Sequence, residues 1–210
     1  MAILRSIDEI ANVVTAATPQ TTRAIVGIVG SPGAGKSTVG EALVARLTAR
    51  FASAQLVSMD GFHLPQSRLV ELGRRDRMGA PDTFDIDGFV ALLERLRADA
   101  GPVAAPGFDR NWEEATPGTV PIAVDHRVII VEGNYLLHDR DGWQRAAPLL
   151  DLALFVGVER DIRLARLIAR HERYGKSAAD AAAWALGPDE ANAQLIERTA
   201  ARADHEVRLA

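Results

Sequence analysis

The sequence predicts an α/β fold of three layers: a central parallel sheet with helices on both faces, plus a helical lid. Three observations carry this. Short apolar runs rich in β-branched residues, at 23–29, 54–59, 128–131 and 151–157, alternate with longer stretches whose apolar residues recur every three or four positions. The central runs are apolar throughout and not at every second residue, as strands buried on both faces must be. The first of them leads straight into a glycine-rich turn that opens a helix, the join that places ligands at the carboxyl end of a parallel strand.

In chain order, Ile3, Leu4, Ile7, Ile10, Val13 and Val14 stand at helical spacing, which predicts an amphipathic helix over 3–17, stopped by Pro19. The strand at 23–29 follows, then the turn, then a helix over 38–50 built on Val39, Leu43 and Leu47. After the strand at 54–59, residues 64–85 are polar and irregular, with room for a short helix in 64–73. Asp87 is placed as the N-cap of a helix carrying Phe89, Leu92, Leu93 and Leu96. Residues 101–125, rich in Pro and Gly, read as a loop or small β-insertion on the substrate side and not as a second domain, so 1–210 is taken as one domain. Beyond the strands at 128–131 and 151–157 comes an arginine-rich helix over 159–173, with the lid assigned to about 160–180. Two more helices, near 177–185 and 189–203, and a last strand at 207–209 complete the order.

The bulk figures narrow the class. At 210 residues, 48% hydrophobic and 25% charged, the chain is long enough for one sizeable core and has an ordinary globular balance. Its net charge of −4 gives no reason to expect nucleic acid or an anionic membrane as partner. It has no cysteine, which removes disulfides, thiolate metal sites and cysteine nucleophiles. No basic start followed by an apolar block is visible at the N-terminus, so a cytoplasmic location is expected.

The turn itself carries the chemistry. Gly30, Ser31, Pro32, Gly33, Ala34, Gly35, Lys36 and Ser37 fit G-x-x-x-x-G-K-[ST], a loop whose backbone N–H groups wrap the phosphates of a nucleoside triphosphate. Glycines allow the tight turn and the close approach. Lys36 is expected to reach the β- and γ-phosphates, Ser37 to help hold Mg²⁺, and Thr38 to follow at the helix N-terminus, whose positive end faces the anion. Asp60, just past the second strand, is the candidate base for a substrate hydroxyl. Glu132, just past the central strand, is the candidate second metal-supporting group. Arg163, Arg166 and Arg170 share a helix face, and Arg166 and Arg170 are expected to bring guanidinium groups to the phosphates when a lid closes.

Taken with the ordered set Met59-Asp60-Gly61-Phe62, Arg77-x-Gly79-x-Pro81-x-x-Phe84-Asp85, Ala105-Pro106 with Phe108-Asp109, Val131-Glu132-Gly133 and Asp161-x-Arg163-Leu164-x-Arg166, the chain resembles the P-loop kinase superfamily of uridine kinases, phosphoribulokinases and type I pantothenate kinases. The resemblance covers about 23–200 and is nearest to a short bacterial branch, some of whose members are associated with sugar uptake. It implies a three-layer P-loop NTPase fold and an ATP- and Mg²⁺-dependent kinase. It also implies Asp60 as catalytic base, Glu132 as metal support, and Lys36, Arg166 and Arg170 acting on phosphates.

The expected acceptor is a small hydroxyl-bearing molecule, met by Phe62, His63, Arg77, Asp82, Phe108, Asp109, Arg110 and Tyr135. Uridine kinases follow their aromatic-Asp-aromatic run with a base-reading histidine; here Glu113 stands in its place. The polar wall therefore favours a sugar or pantothenate-like compound over a nucleoside. The guanine-reading N-K-x-D of GTPases is absent from the sequence. A regulatory protein that kept the fold and lost turnover is the other alternative, and a homodimer is compatible with the sequence.

Overall fold

The computed structural model describes residues 1–19, 22–50, 53–98 and 101–209. Its first element is a strand, β1 (Ala2–Leu4), and only then the helix α1 (Ile7–Ala17). This corrects the helix expected from residue 3. Ser6 caps the helix by accepting from the Glu9 N–H at 3.2 Å, and the Glu9 carboxylate turns back to the Arg5 N–H at 2.7 Å. That reciprocal cap fixes the start, and the residues before it find partners in a distant strand instead.

Next come β2 (Ala24–Val29), α2 (Lys36–Arg50) and β3 (Ala54–Ser58), followed by one 3-10 turn at Met59–Phe62. The short helix α3 (Gln66–Glu71) lies where the sequence left room for it. Helix α4 (Ile86–Arg97) is capped by Asp85, whose side chain accepts from the Gly88 N–H at 3.0 Å. Asp87 is therefore not the cap; it lies in the first turn, where its charge favours the helix dipole. Strands β4 (Val103–Asp109) and β5 (Glu114–Ile122) form an antiparallel hairpin apart from the main sheet. Then follow β6 (Val128–Gly133), β7 (Leu152–Val156), the helices α5 (Arg160–Arg173), α6 (Ala178–Leu186) and α7 (Pro188–Glu197), and β8 (His205–Val207). The last helix is shorter than expected: the chain breaks after Glu197 and turns once more as 3-10 at Ala200–Arg202.

The six-stranded sheet has the order β1-β8-β7-β2-β6-β3, with every pairing parallel. Successive residues of a strand point to opposite faces. Ile25 and Val29 of β2 join Phe62, Phe89, Tyr135 and Trp143 on one side, and Val26 and Ile28 join Ile10, Val39 and Leu43 on the other. Every residue of β2 and of β6 is buried, which explains why these strands read as unbroken apolar runs. The carboxyl ends of β2, β3 and β6 thus come together at one rim. Among the described residues no helix is long and apolar enough to cross a membrane.

Candidate functional site

At that rim the chain leaves β2 through the glycine-rich loop. Gly33 and Gly35 have φ of +79° and +98°, a region that side chains with a Cβ avoid. At Gly33 a Cβ would also stand 2.8 Å from Leu167 Cγ and 2.9 Å from the Arg163 carbonyl, so α5 can pack directly on the loop only because the residue is glycine. Lys36, at the first position of α2, donates from Nζ to the Gly30 carbonyl at 2.8 Å and the Ser31 carbonyl at 3.2 Å. Ser37 donates to both Glu132 oxygens, at 2.8 and 2.9 Å, joining the loop to the end of β6.

A cleft of about 270 Å³ opens above this rim, and Gly33, Gly35, Lys36, Ser37 and Thr38 lie on its wall with Pro32. Gly30, Ser31 and Ala34 complete the loop from beneath; Ser31 and Ala34 are buried, and Ser31 donates to Glu197 at 3.3 Å. Asp60 and Glu132 face the same cleft, as do Arg166 and Arg170 from α5. Among the described residues, neither arginine has a hydrogen-bonded or ion-paired partner. Arg163 is a correction: it is buried, with Nη2 donating to Glu190, and takes no place on the arginine face of the cleft. The turn of α5 that carries it lies against Gly33, on the inner side of the helix.

The electrostatics of the rim follow from burial and crowding. Burial lowers the Lys36 ammonium to about 8, although Glu132 and Asp60 pull it the other way. Burial alone would raise the Asp60 carboxyl, yet it is held below the usual carboxylate range by His63, Arg110, Lys36 and Arg170. His63 is itself pushed down by burial and is neutral above its range, so at neutral pH the lysine and the arginines keep Asp60 ionised. Burial and the nearby Asp60 charge push the Glu132 carboxyl up. Burial and the neighbouring Arg110 depress Arg170.

The acceptor-side expectations divide. His63, Phe108 and Arg110 lie on the cleft. The His63 ring packs tilted against Phe84 and Phe108, with centroids 4.0 and 4.8 Å away, and its Nδ1 lies 2.9 Å from the Asp60 carbonyl. Arg110 donates to Asp60 Oδ2 at 2.9 Å. The other five do not reach the cleft. Phe62 packs edge-on to Phe89 in the core. Arg77 and Asp82 pair with each other, and Arg74 joins them at 3.3 Å. Asp109 accepts from the Asn111 N–H at 2.8 Å and shapes the hairpin turn. Tyr135 is fully buried, its phenol pushed up by burial, and its hydroxyl donates to the Gly79 carbonyl at 2.7 Å.

The space those residues leave is filled by groups that sequence reasoning passed over. Asn192 donates to the same Gly79 carbonyl at 3.2 Å, fixing the strap that forms one edge of the cleft. Asp189 pairs with His171 at 2.7 Å across α7 and α5, and both face the cleft, as does Trp184. Glu113, noted in the sequence as standing where uridine kinases have a histidine, also faces it, from the hairpin tip. The Gly187-Pro188-Asp189 helix start was a visible signal; that Asp189 faces the same cleft as the phosphate loop was not.

The family model described as the phosphoribulokinase / uridine kinase family matches residues 25–208. Among solved structures, a protein provisionally described as a fructose transport system kinase, from Silicibacter sp. TM1040, is 36% identical. It covers 97% of this chain and 99% of its own, with a TM-score of 0.90. Among curated relatives, the ATP-dependent kinase-like protein notR' of Aspergillus versicolor is 43% identical over 56% of this chain and 73% of its own length. A protein provisionally described as a uridine kinase, from Schizosaccharomyces pombe, is 32% identical over 79% of this chain and 74% of its own.

Proposed function

The chain belongs to the phosphoribulokinase / uridine kinase family of P-loop kinases, and we propose that it transfers the γ-phosphate of ATP to a hydroxyl of a small sugar or pantothenate-like metabolite. One observation carries the reading: the Asp60 carboxylate opens on the same cleft as the Lys36 ammonium and the Ser37 hydroxyl. A base for the attacking hydroxyl and a cradle for the leaving phosphates therefore share one space, which phosphoryl transfer requires.

In this reading the loop N–H groups and Lys36 hold the β- and γ-phosphates. The Ser37 and Glu132 oxygens suit a hard divalent cation that keeps several waters, and Mg²⁺ there would neutralise charge on the phosphates. Asp60 orients the acceptor hydroxyl and takes its proton as the oxygen attacks phosphorus. Arg166 and Arg170, which have no hydrogen-bonded or ion-paired partner among the described residues, stabilise charge on the transferring group. His63 and Phe108 give the acceptor an apolar floor. The fructose-related description of the 36%-identical structure supports a sugar as acceptor.

The test is ADP release measured over D-fructose, other sugars, pantothenate, uridine and cytidine, for the wild type and for Asp60→Asn. Release that depends on a sugar or pantothenate, and falls by about 10²–10⁴ in the variant, supports the reading. Higher kcat/KM for uridine than for every other acceptor would replace the acceptor and keep the kinase; undiminished turnover in Asp60→Asn would remove the assigned base.

A further inference from the structure

Glu113 sits where the hairpin tip meets the cleft, and three features mark it as built. Its φ of 51° puts a non-glycine residue in the left-handed region. Among the described residues its carboxylate is tied to Arg75 through Oε2 alone. The flanking backbone is anchored to α3, since the Gln66 side chain donates to the Trp112 carbonyl at 2.6 Å and the Gln66 N–H to Glu114 at 3.0 Å. The tip thus holds Glu113 in an uncommon backbone conformation on the wall of the cleft, with one carboxylate oxygen uncommitted among the described residues.

We propose that Glu113 is a specificity-determining residue that accepts a hydrogen bond from a hydroxyl at the far end of the acceptor, so that the acceptor is a neutral polyol there. This rests on the kinase reading and sharpens it. As half of an ion pair, the carboxylate offers only acceptor lone pairs; it welcomes hydroxyl or amide donors and has no proton to give a ligand carboxylate or phosphate. The His63 ring feels the charges of both Asp60 and Glu113. A small molecule lying on the His63–Phe108 floor can therefore offer one hydroxyl to Asp60 and another to Glu113. Of the cleft's cations, Lys36, Arg166 and Arg170 serve the phosphate end, and Arg110 is engaged by the Asp60 carboxylate.

The experiment uses D-fructose and its monodeoxy analogues as neutral probes, with pantothenate and D-glycerate as carboxylate-bearing ones, on the wild type and Glu113→Gln. The wild type should prefer fructose. Glu113→Gln should raise the KM for fructose about tenfold or more, as loss of a hydrogen bond to a charged group does, with kcat and the KM for ATP little changed. For the one analogue lacking the hydroxyl that Glu113 reads, the variant should cost nothing further. An equal loss on every analogue, or a loss in kcat alone, would make Glu113 only a clamp for the hairpin and overturn the inference. So would preference for pantothenate or D-glycerate, an outcome that leaves the kinase reading standing. Transfer to no acceptor at all would sink both.

Discussion

Arg110 crosses from the tip of the β4–β5 hairpin to donate to Asp60, fifty residues earlier in the chain, and so helps to hold the proposed base ionised. Removing it relieves Asp60 of one of the cations that hold its carboxyl down. The sign is fixed: with one cation fewer, Asp60 takes up a proton at higher pH, and activity is lost earlier as pH falls. Arg110→Gln should therefore move the acid limb of the kcat/KM profile to higher pH. An unmoved limb would mean that Asp60 does not govern it.

Lys36 supplies a second pH signature. With its ammonium lowered to about 8, the group is mostly neutral at about pH 9 and mostly charged at about pH 7. Polyphosphate beside it favours the charged form, so MgATP binding at about pH 9 should take up roughly one proton, falling off towards pH 7. Calorimetry in buffers of different ionisation enthalpy reads this directly. A binding heat that ignores the buffer at the higher pH would contradict it.

Two arginines one helical face apart should fail in different ways. Arg170→Ala should lower kcat more than it raises the KM for ATP, because its charge is needed most in the transition state. Glu190→Ala strands the buried Arg163 guanidinium and should cost about 3–5 kcal/mol of stability, read by denaturant unfolding, with the kcat of the folded fraction retained. If Arg170→Ala changed only the KM, Arg170 would be a binding group and nothing more.

Gly61 tests how the hairpin is seated. A Cβ there would lie 2.2 Å from the Pro106 carbonyl oxygen, which is backbone and cannot step aside alone. Gly61→Ala should cost about 1–3 kcal/mol and, by lifting the hairpin, separate Arg110 from Asp60. The upward shift of the acid limb should then appear in this variant too, with Arg110 intact. A fully stable variant with a normal pH profile would show that the hairpin tolerates the displacement.

The phosphate loop, Asp60 and Glu132 were legible because each depends on a local pattern: an apolar run, a turn and a polar residue just past it. The acceptor wall was legible only in part. Phe62 and Tyr135 are as aromatic as Phe108, and nothing local separates a ring that packs on Phe89 or caps Gly79 from one that lines a cleft. Arg77 and Asp82 satisfy each other, a pairing made between the two 3-10 turns that carry them, Arg75–Arg77 and Pro81–Thr83. Asp189, Asn192 and His171 reach the cleft through the packing of α5 and α7, which periodicity does not specify. The first strand was missed for the same reason: three residues become a strand only because β8 lies beside them.

That pairing has a consequence for the order of assembly. Ala2 faces His205 and Leu4 faces Val207, so β1, at the edge of the sheet among the described residues, finds its neighbour almost the whole chain away. Strand β8 must settle on β7 before there is an edge for β1 to join. Closing so wide a loop adds little entropic cost over a moderately wide one, but the contact can form only late. The segment nearest the start of the chain is then among the last to be locked and the first to let go, and amide exchange should find β1 opening well below the free energy that unfolds β2 and β6.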